Sequence, residues 1–437
     1  MTRIILGDNP WLENDELWEQ SLVKNLPETY IPRTMEKGLA SEGLRPSRAA
    51  LVVGPRQSGK STLLWHLGRA RKLRLLLVNC EEKAVRELAA SPAVFLREME
   101  SFISRSSSIF LEEVQHLDDA GLFIKGLVDR KPGVPILVTG SSGYDMRSRT
   151  RESLAGRAAR FRLLPLSLRE AGGHLMDLPG PARALRMEEA WRAMTVSGGY
   201  PEVWTSGSSD TKELLLSRLV ESFLIRDASD LYRIARPDAF RKVIKLLAGQ
   251  TGNLVNMSEY ASICSVSADT VASYTGILED AHVICLLRPF VGGKRAEVKL
   301  HPKAYYIDCG LRNAVLGMFG KWEARPDKGP LLETWVFGEL LKSSAPRSEL
   351  FYWRSKSGAE VDFVVQSGGG LAGIEVKAEA MRRPKISRSS RSFIEAYRPA
   401  DFYVVNTNLE HAERLGGTTV HWVRPHTMDF EAISTAG

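Results

Sequence analysis

The chain has 437 residues, 43% of them hydrophobic, with 59 Lys and Arg against 52 Asp and Glu for a formal net charge of +7. At roughly 100–200 residues per domain this length predicts two to four domains with separate cores, and no apolar run reaches the ~18 residues of a membrane span. The four cysteines show no CxxC spacing, which argues against a zinc site or disulfide framework. Asp8, Glu13, Asp15 and Glu16 replace the basic-then-apolar order of a signal peptide, so a cytoplasmic protein with no membrane partner is expected. The positive balance permits attraction to an acidic polymer. It gathers in two runs, Arg147, Arg149, Arg151, Arg157, Arg160 and Arg162, then Arg382, Arg383, Lys385, Arg388 and Arg391, both read as solvated faces.

Residues 1–30 are expected to form a helical lead, and 31–180 a nucleotide domain. The apolar run Ala49–Val53 is followed by Gly54, Pro55, Arg56, Gln57, Ser58, Gly59, Lys60, Ser61 and Thr62, the pattern of a phosphate loop. Its glycines adopt backbone angles closed to other residues, so successive N–H groups turn inward as a nest for phosphate oxygens. Lys60 would reach the β and γ phosphates and the Ser61 hydroxyl would ligate Mg²⁺, with the positive end of the following helix facing the anion. ATP and Mg²⁺ are therefore the expected cofactors.

Leu73–Val78, Ser108–Gln115 and Val134–Ser142 are further apolar runs ending in polar residues, as expected of βα units in a buried parallel sheet. In phosphate-loop ATPases an acidic pair at a strand end holds the metal shell and orients the attacking water. Here Glu112 takes the metal role and Glu113 is the candidate for water activation. Ser141, after the next strand, is a candidate contact for the γ phosphate. Arg157 could serve a neighbouring copy by stabilising charge that develops in phosphoryl transfer, which implies a homo-oligomer.

Residues 181–236 read as a helical lid broken at Ser197-Gly-Gly-Tyr-Pro201. In 237–310, helices at Phe240–Leu247, Met257–Ile263 and Ala268–Asp280 precede a strand pair, Val283–Leu287 with Ala296–Leu300, around Gly292-Gly-Lys294-Arg295. Three helices and a hairpin predict a winged helix, with Lys294 and Arg295 on the wing as nucleic-acid contacts. The third helix begins Ser267-Ala-Asp269-Thr and offers no Lys or Arg.

In 311–437, Glu333 lies on a predicted helix, and Glu360, Asp362, Glu375 and Lys377 lie on predicted strands. Period-two alternation puts Glu360 and Asp362 on one face and Glu375 and Lys377 on one face. If the faces adjoin, Asp362 and Glu375 offer hard oxygen ligands to a metal, Glu333 completes the shell, and Lys377 orients or deprotonates a water.

The combination of Gly54–Ser61, Glu113-Val-Gln115, Thr139-Gly-Ser-Ser142, Ser153-Leu-Ala-Gly-Arg157, Leu164-Pro-Leu-Ser167 and Gly198-Gly-Tyr-Pro-Glu202 resembles the prokaryotic AAA-type ATPase family that carries a C-terminal domain of unassigned function. Glu112 stands where that family usually has Asp. The Asp362, Glu375-Val-Lys377 arrangement resembles the PD-(D/E)xK fold of restriction and repair nucleases, with Val361 in place of the common Pro. That likeness implies Glu333, Asp362, Glu375 and Lys377 as a cleavage set. The expected fold class is α/β: a P-loop AAA-type parallel-sheet domain with a helical lid, a winged-helix domain and a C-terminal restriction-endonuclease-like α/β domain. The expected function is an ATPase acting on DNA with nuclease activity in its last domain. The alternative is a non-cleaving nucleotide-dependent scaffold for a protein partner.

Overall fold

The structure is a computed structural model that describes residues 2–140, 154–221, 234–291, 301–345 and 348–435. Its chain divides into two compact units, Met1–Leu166 with Asp280–His282, and Ser167–Glu279 with Val283–Gly437. Among the described residues no helix is long and apolar enough to cross a membrane.

In the first unit, β1 (Ala49–Val53), β2 (Leu75–Asn79), β3 (Ser108–Glu112), β4 (Ile136–Gly140) and β5 (Ala158–Arg162) form one sheet in the order β2-β3-β4-β1-β5. Every pairing is parallel. The first four strands are near-continuous apolar runs, which suits a sheet covered on both faces. β5 differs from the expectation of a purely solvated basic run. It pairs with β1 from Ala49↔Ala158 to Val53↔Arg162, and its exposed Arg160 and Arg162 keep the edge strand charged and discourage further pairing.

At the opposite edge the first 30 residues, with helices Thr2–Asp8 and Leu17–Asn25, pack into the same core. Asn9, fully buried, copies a strand's hydrogen bonds. Its amide donates to the Leu77 carbonyl at 2.8 Å, and its Oδ1 accepts from the Leu77 N–H at 2.6 Å. The Trp11 indole N–H donates to the Leu75 carbonyl at 2.8 Å. Trp11, Trp18 and Trp65 meet with ring centroids 5.3 to 5.7 Å apart, so the polar clamp sits beside a large apolar anchor.

The second unit begins with the short helix Leu168–Ala171, followed by helices Gly180–Ser197, Pro201–Thr205 and Ser209–Leu219, then Pro237–Gly249, Met257–Cys264 and Ala268–Asp280. β6 (Ile284–Leu287) pairs antiparallel with β7 (Lys303–Tyr306). The strand expected at 296–300 and the wing residues Lys294 and Arg295 lie outside the described residues. β8 (Ser348–Arg354), β9 (Glu360–Ser367), β10 (Gly370–Lys377), β11 (Asp401–Asn406), β12 (His411–Leu415) and β13 (Thr418–Val423) build a mixed sheet ordered β12-β13-β11-β10-β9-β8. Helix Lys328–Lys342 packs against β10 and helix Arg388–Tyr397 against β9 and β10.

Side chains on the two sides of residue 310 pack together. Tyr305 stacks on Phe337 with centroids 4.5 Å apart and lies 5.5 Å from Phe363, and the Tyr306 hydroxyl donates to the Ile244 carbonyl at 2.9 Å. Buried charges add further ties. Asp308 caps the helix Cys309–Leu316 through the Leu311 N–H at 2.9 Å and accepts from the Gly199 N–H at 2.7 Å. A Cβ on Gly198, at φ 72°, would lie 2.1 Å from the Asp308 carboxylate, so the Ser197-Gly-Gly-Tyr-Pro201 break serves this close approach. Glu339 pairs with Lys342 at 3.1 Å and accepts from the Leu168 N–H at 2.9 Å.

Replacing Asn9 with Ala leaves a strand edge without its two partners. It should cost the first unit about 1–3 kcal/mol. Hydrogen exchange checks this: amides of Leu75–Asn79 should lose protection while those of β9 and β10 keep theirs.

Candidate functional site

The phosphate loop joins the carboxyl end of β1 to the helix Lys60–Ala70. Gly59 has φ 93° and Gln57 φ 57°, the left-handed turns that point amides into a nest. Gly54 is required for a different reason. A Cβ there would meet the Leu163 carbonyl oxygen at 2.0 Å.

Lys60 is only 5% exposed, and its ammonium donates to the carbonyls of Gly54 at 3.1 Å and Pro55 at 2.9 Å. Burial lowers its pKa to about 8, against the opposing pull of Glu113. The loop is braced from the amino-terminal side by Arg33, whose guanidinium donates to the carbonyls of Ser58 at 3.0 Å and Leu164 at 2.5 Å.

At the end of β3, the Ser61 hydroxyl bonds Glu112, whose carboxyl is raised above its ordinary range first by burial. A hydroxyl and a carboxylate side by side are hard oxygen donors that fit Mg²⁺. Glu113 follows in the left-handed conformation, φ 54° and ψ 48°, a strained state for a non-glycine residue that concentrates at functional sites. Its N–H donates to the Thr139 hydroxyl at 3.3 Å, and the Gln115 amide donates to its carboxylate at 2.5 Å. A cavity of about 300 Å³ opens here, lined by Lys60, Ser61, Thr62, Glu81 and Glu113 among others.

Sequence reasoning missed Glu81, His116 and Arg33. Glu81, Glu113 and His116 bring one ligand atom each within 4.8 Å of one another, with His116 Nε2 3.2 Å from Glu81 Oε1. Glu81 follows the apolar run of β2, a polar strand end that was the available signal. Ser141 lies outside the described residues. Arg157 is paired at 2.7 Å with Asp129 on the surface, directly before β5.

The carboxyl-terminal set gathers where β9 and β10 part. Their ladder ends at Phe363↔Ile374, and Asp362 accepts there from the Val376 N–H at 2.7 Å. Glu375 accepts from the hydroxyls of Ser387, at 3.0 Å, and Ser390, and meets the Lys377 ammonium at 2.6 Å. Glu333 accepts from the Tyr305 hydroxyl. Lys303, missed by the sequence reading, enters this cluster from β7. It is 4% exposed, with Nζ 2.5 Å from Glu360 and 3.7 Å from Glu333.

Burial pushes the Asp362 carboxyl up strongly, and Glu333 pushes it further. For Lys303, burial opposes the charge, but Glu333, Glu360 and Asp362 outweigh it and raise the pKa. These residues do not fit a divalent ion as arranged. Each carboxylate is turned to a protein donor, and among the described residues no three of them converge within 4.8 Å as the Glu81 set does.

Three family models match separate stretches of the chain. Residues 46–172 match the family model described as an AAA domain. Residues 188–321 and 328–424 match models described as domains of unknown function (DUF8612 and DUF4143). An uncharacterized protein of Mycobacterium tuberculosis is 29% identical over 381 residues, 86% of this chain and 80% of that one. One of Methanocaldococcus jannaschii is 23% identical over 372 residues, 83% and 81% of the two chains. Among solved structures, the Thermotoga maritima RuvB Holliday junction branch migration motor is 15% identical, covering 62% of this chain and 89% of that one, at TM-score 0.29. AMPPCP-bound DnaA from Aquifex aeolicus is 12% identical, covering 58% and 90%, at TM-score 0.25. With the phosphate loop at the end of β1, the match over residues 46–172 identifies the amino-terminal unit as the site of an AAA-type P-loop ATPase domain.

Proposed function

We propose that the protein is an ATP-binding and ATP-hydrolysing AAA-type switch that acts on DNA through its second unit. The observation that carries the reading is the grouping of Lys60, Ser61 and Glu113 around one cavity at the phosphate loop, with Glu112 bonded to the Ser61 hydroxyl. Lys60 would exchange the carbonyls of Gly54 and Pro55 for the β and γ phosphates. Ser61 and Glu112 would hold Mg²⁺, whose charge offsets that of the phosphates. Glu113, kept in place by Gln115 and Thr139, would accept a proton from the attacking water. Arg157, half-exposed with its guanidinium on the surface carboxylate of Asp129, could change partners and serve the γ phosphate of a neighbouring copy in a homo-oligomer.

For DNA, the support is the order of three helices and a two-stranded antiparallel sheet in 237–306, as in a winged helix, and the net charge of +7. The helix Ala268–Asp280 exposes Asp269 and Ser273, so phosphate contacts would fall to Lys294 and Arg295. The exposed Asp269 favours a second reading, a nucleotide-dependent scaffold whose second unit docks a protein and cleaves nothing.

Nucleotide phosphates should raise the Lys60 pKa from its lowered value of about 8. ATP binding then takes up a proton above that pH and little below it, visible by calorimetry as a dependence on buffer ionisation heat. Lys60→Ala should bind no ATP, and full binding by that variant would refute the loop assignment. Glu113→Gln should retain ATP binding while turnover falls by ~10² to 10⁴; an unchanged rate would move the base elsewhere. Steady-state ATP turnover should rise when duplex DNA is added, and fall back as salt displaces phosphate contacts. Turnover indifferent to single-stranded, duplex and branched DNA would favour the scaffold.

A further inference from the structure

The carboxyl-terminal cluster has the residues of a metal-dependent phosphodiesterase site and yet contains a cation of its own. Lys303 is supplied by β7, outside the stretch that carries Glu333, Asp362, Glu375 and Lys377. Its ammonium touches Glu360 at 2.5 Å, approaches Glu333 at 3.7 Å and lies 5.5 Å from the ring centre of Tyr352. These neighbours come from helix Lys328–Lys342, β8 and β9.

Each carboxylate of the set already has a partner within the protein. Tyr305 donates to Glu333, the Val376 N–H to Asp362, and Ser387, Ser390 and Lys377 take both oxygens of Glu375. Mg²⁺ requires near-ideal octahedral oxygen geometry and sheds its waters reluctantly. A fixed ammonium 3.7 Å from Glu333 and beside Glu360 also repels an incoming cation.

We propose that Lys303 is the resident cation of this cluster, supplying the counter-charge that a divalent ion supplies in a cleaving site. The cluster is an internal ion lock joining β7, helix Lys328–Lys342 and β9. It takes up neither Mg²⁺ nor Mn²⁺ and performs no metal-dependent cleavage.

The test is Mn²⁺ titration of the full nucleotide-free chain, following the free-ion signal by electron paramagnetic resonance. Wild type, Asp362→Ala, Lys303→Met and Lys303→Met with Asp362→Ala are compared, and circular dichroism checks that each is folded. Any ion held by Glu81, Glu113 and His116 is common to all four. Wild type and Asp362→Ala should bind equally, and Lys303→Met should gain one site per chain that the double variant loses. Asp362-dependent binding in wild type, or no gain in a folded Lys303→Met, overturns the proposal. Should Lys303→Met fail to fold, the wild-type and Asp362→Ala pair still decides. A second arm measures cleavage of single-stranded and duplex DNA in Mg²⁺ or Mn²⁺. Equal absence of cleavage in wild type and Asp362→Ala supports the ion lock, and cleavage lost in Asp362→Ala overturns it.

Discussion

An ammonium removed from water must recover its solvation from something, and two lysines do so in opposite ways. Lys60 leans on two backbone carbonyls, neutral acceptors that leave it easily deprotonated. Lys303 is set among carboxylates that more than offset its burial. A charge satisfied by dipoles is available to an arriving anion, because the anion is the better partner. A charge satisfied by counter-charges is committed, since withdrawing either partner leaves the other buried and alone. The same residue type thus makes a receptive site in one unit and a closed one in the other.

Around each lysine the backbone is arranged to hold that balance. In the first unit Gly54 lies where no side chain fits and Arg33 fixes the carbonyl side of the loop. Glu113 is held at positive φ by the chain leaving β3. The second unit relies on buried pairs: Asp308 against Gly199 and Leu311, and Glu339 against Lys342 and Leu168. Such networks are high-stakes when complete, because every member is needed to solvate the others.

The phosphate loop was legible because its glycines and lysine are close in sequence and their spacing encodes a backbone shape. The strands β1, β3 and β4 were legible as apolar runs, and Asp362 with Glu375-Val-Lys377 as a local pattern. β5 was not, since an edge strand rich in Arg has the composition of a solvated run. Lys303 was missed because it belongs to the cluster through tertiary packing alone. The second strand was expected at 296–300, and Lys303 and its buried neighbours Ala304 to Tyr306 form a strand that the sequence reading did not place. Arg33 and Asn9 were hidden for the same reason: each satisfies backbone groups distant in sequence, which no periodicity records.

The Asn9 clamp bears on how the chain escapes error while it is being made. A growing polypeptide emerges amino-terminus first, so the side chain that closes the outer edge of β2 at Leu77 is synthesised well before β2 itself. The partner of Leu77 is thus already made when Leu77 is added, and in the folded chain it occupies an N–H and a carbonyl that an exposed edge strand would offer to another chain. With Arg160 and Arg162 guarding the opposite margin, the sheet is protected against intermolecular pairing by two unrelated means, one a mimic of a strand and the other a charge.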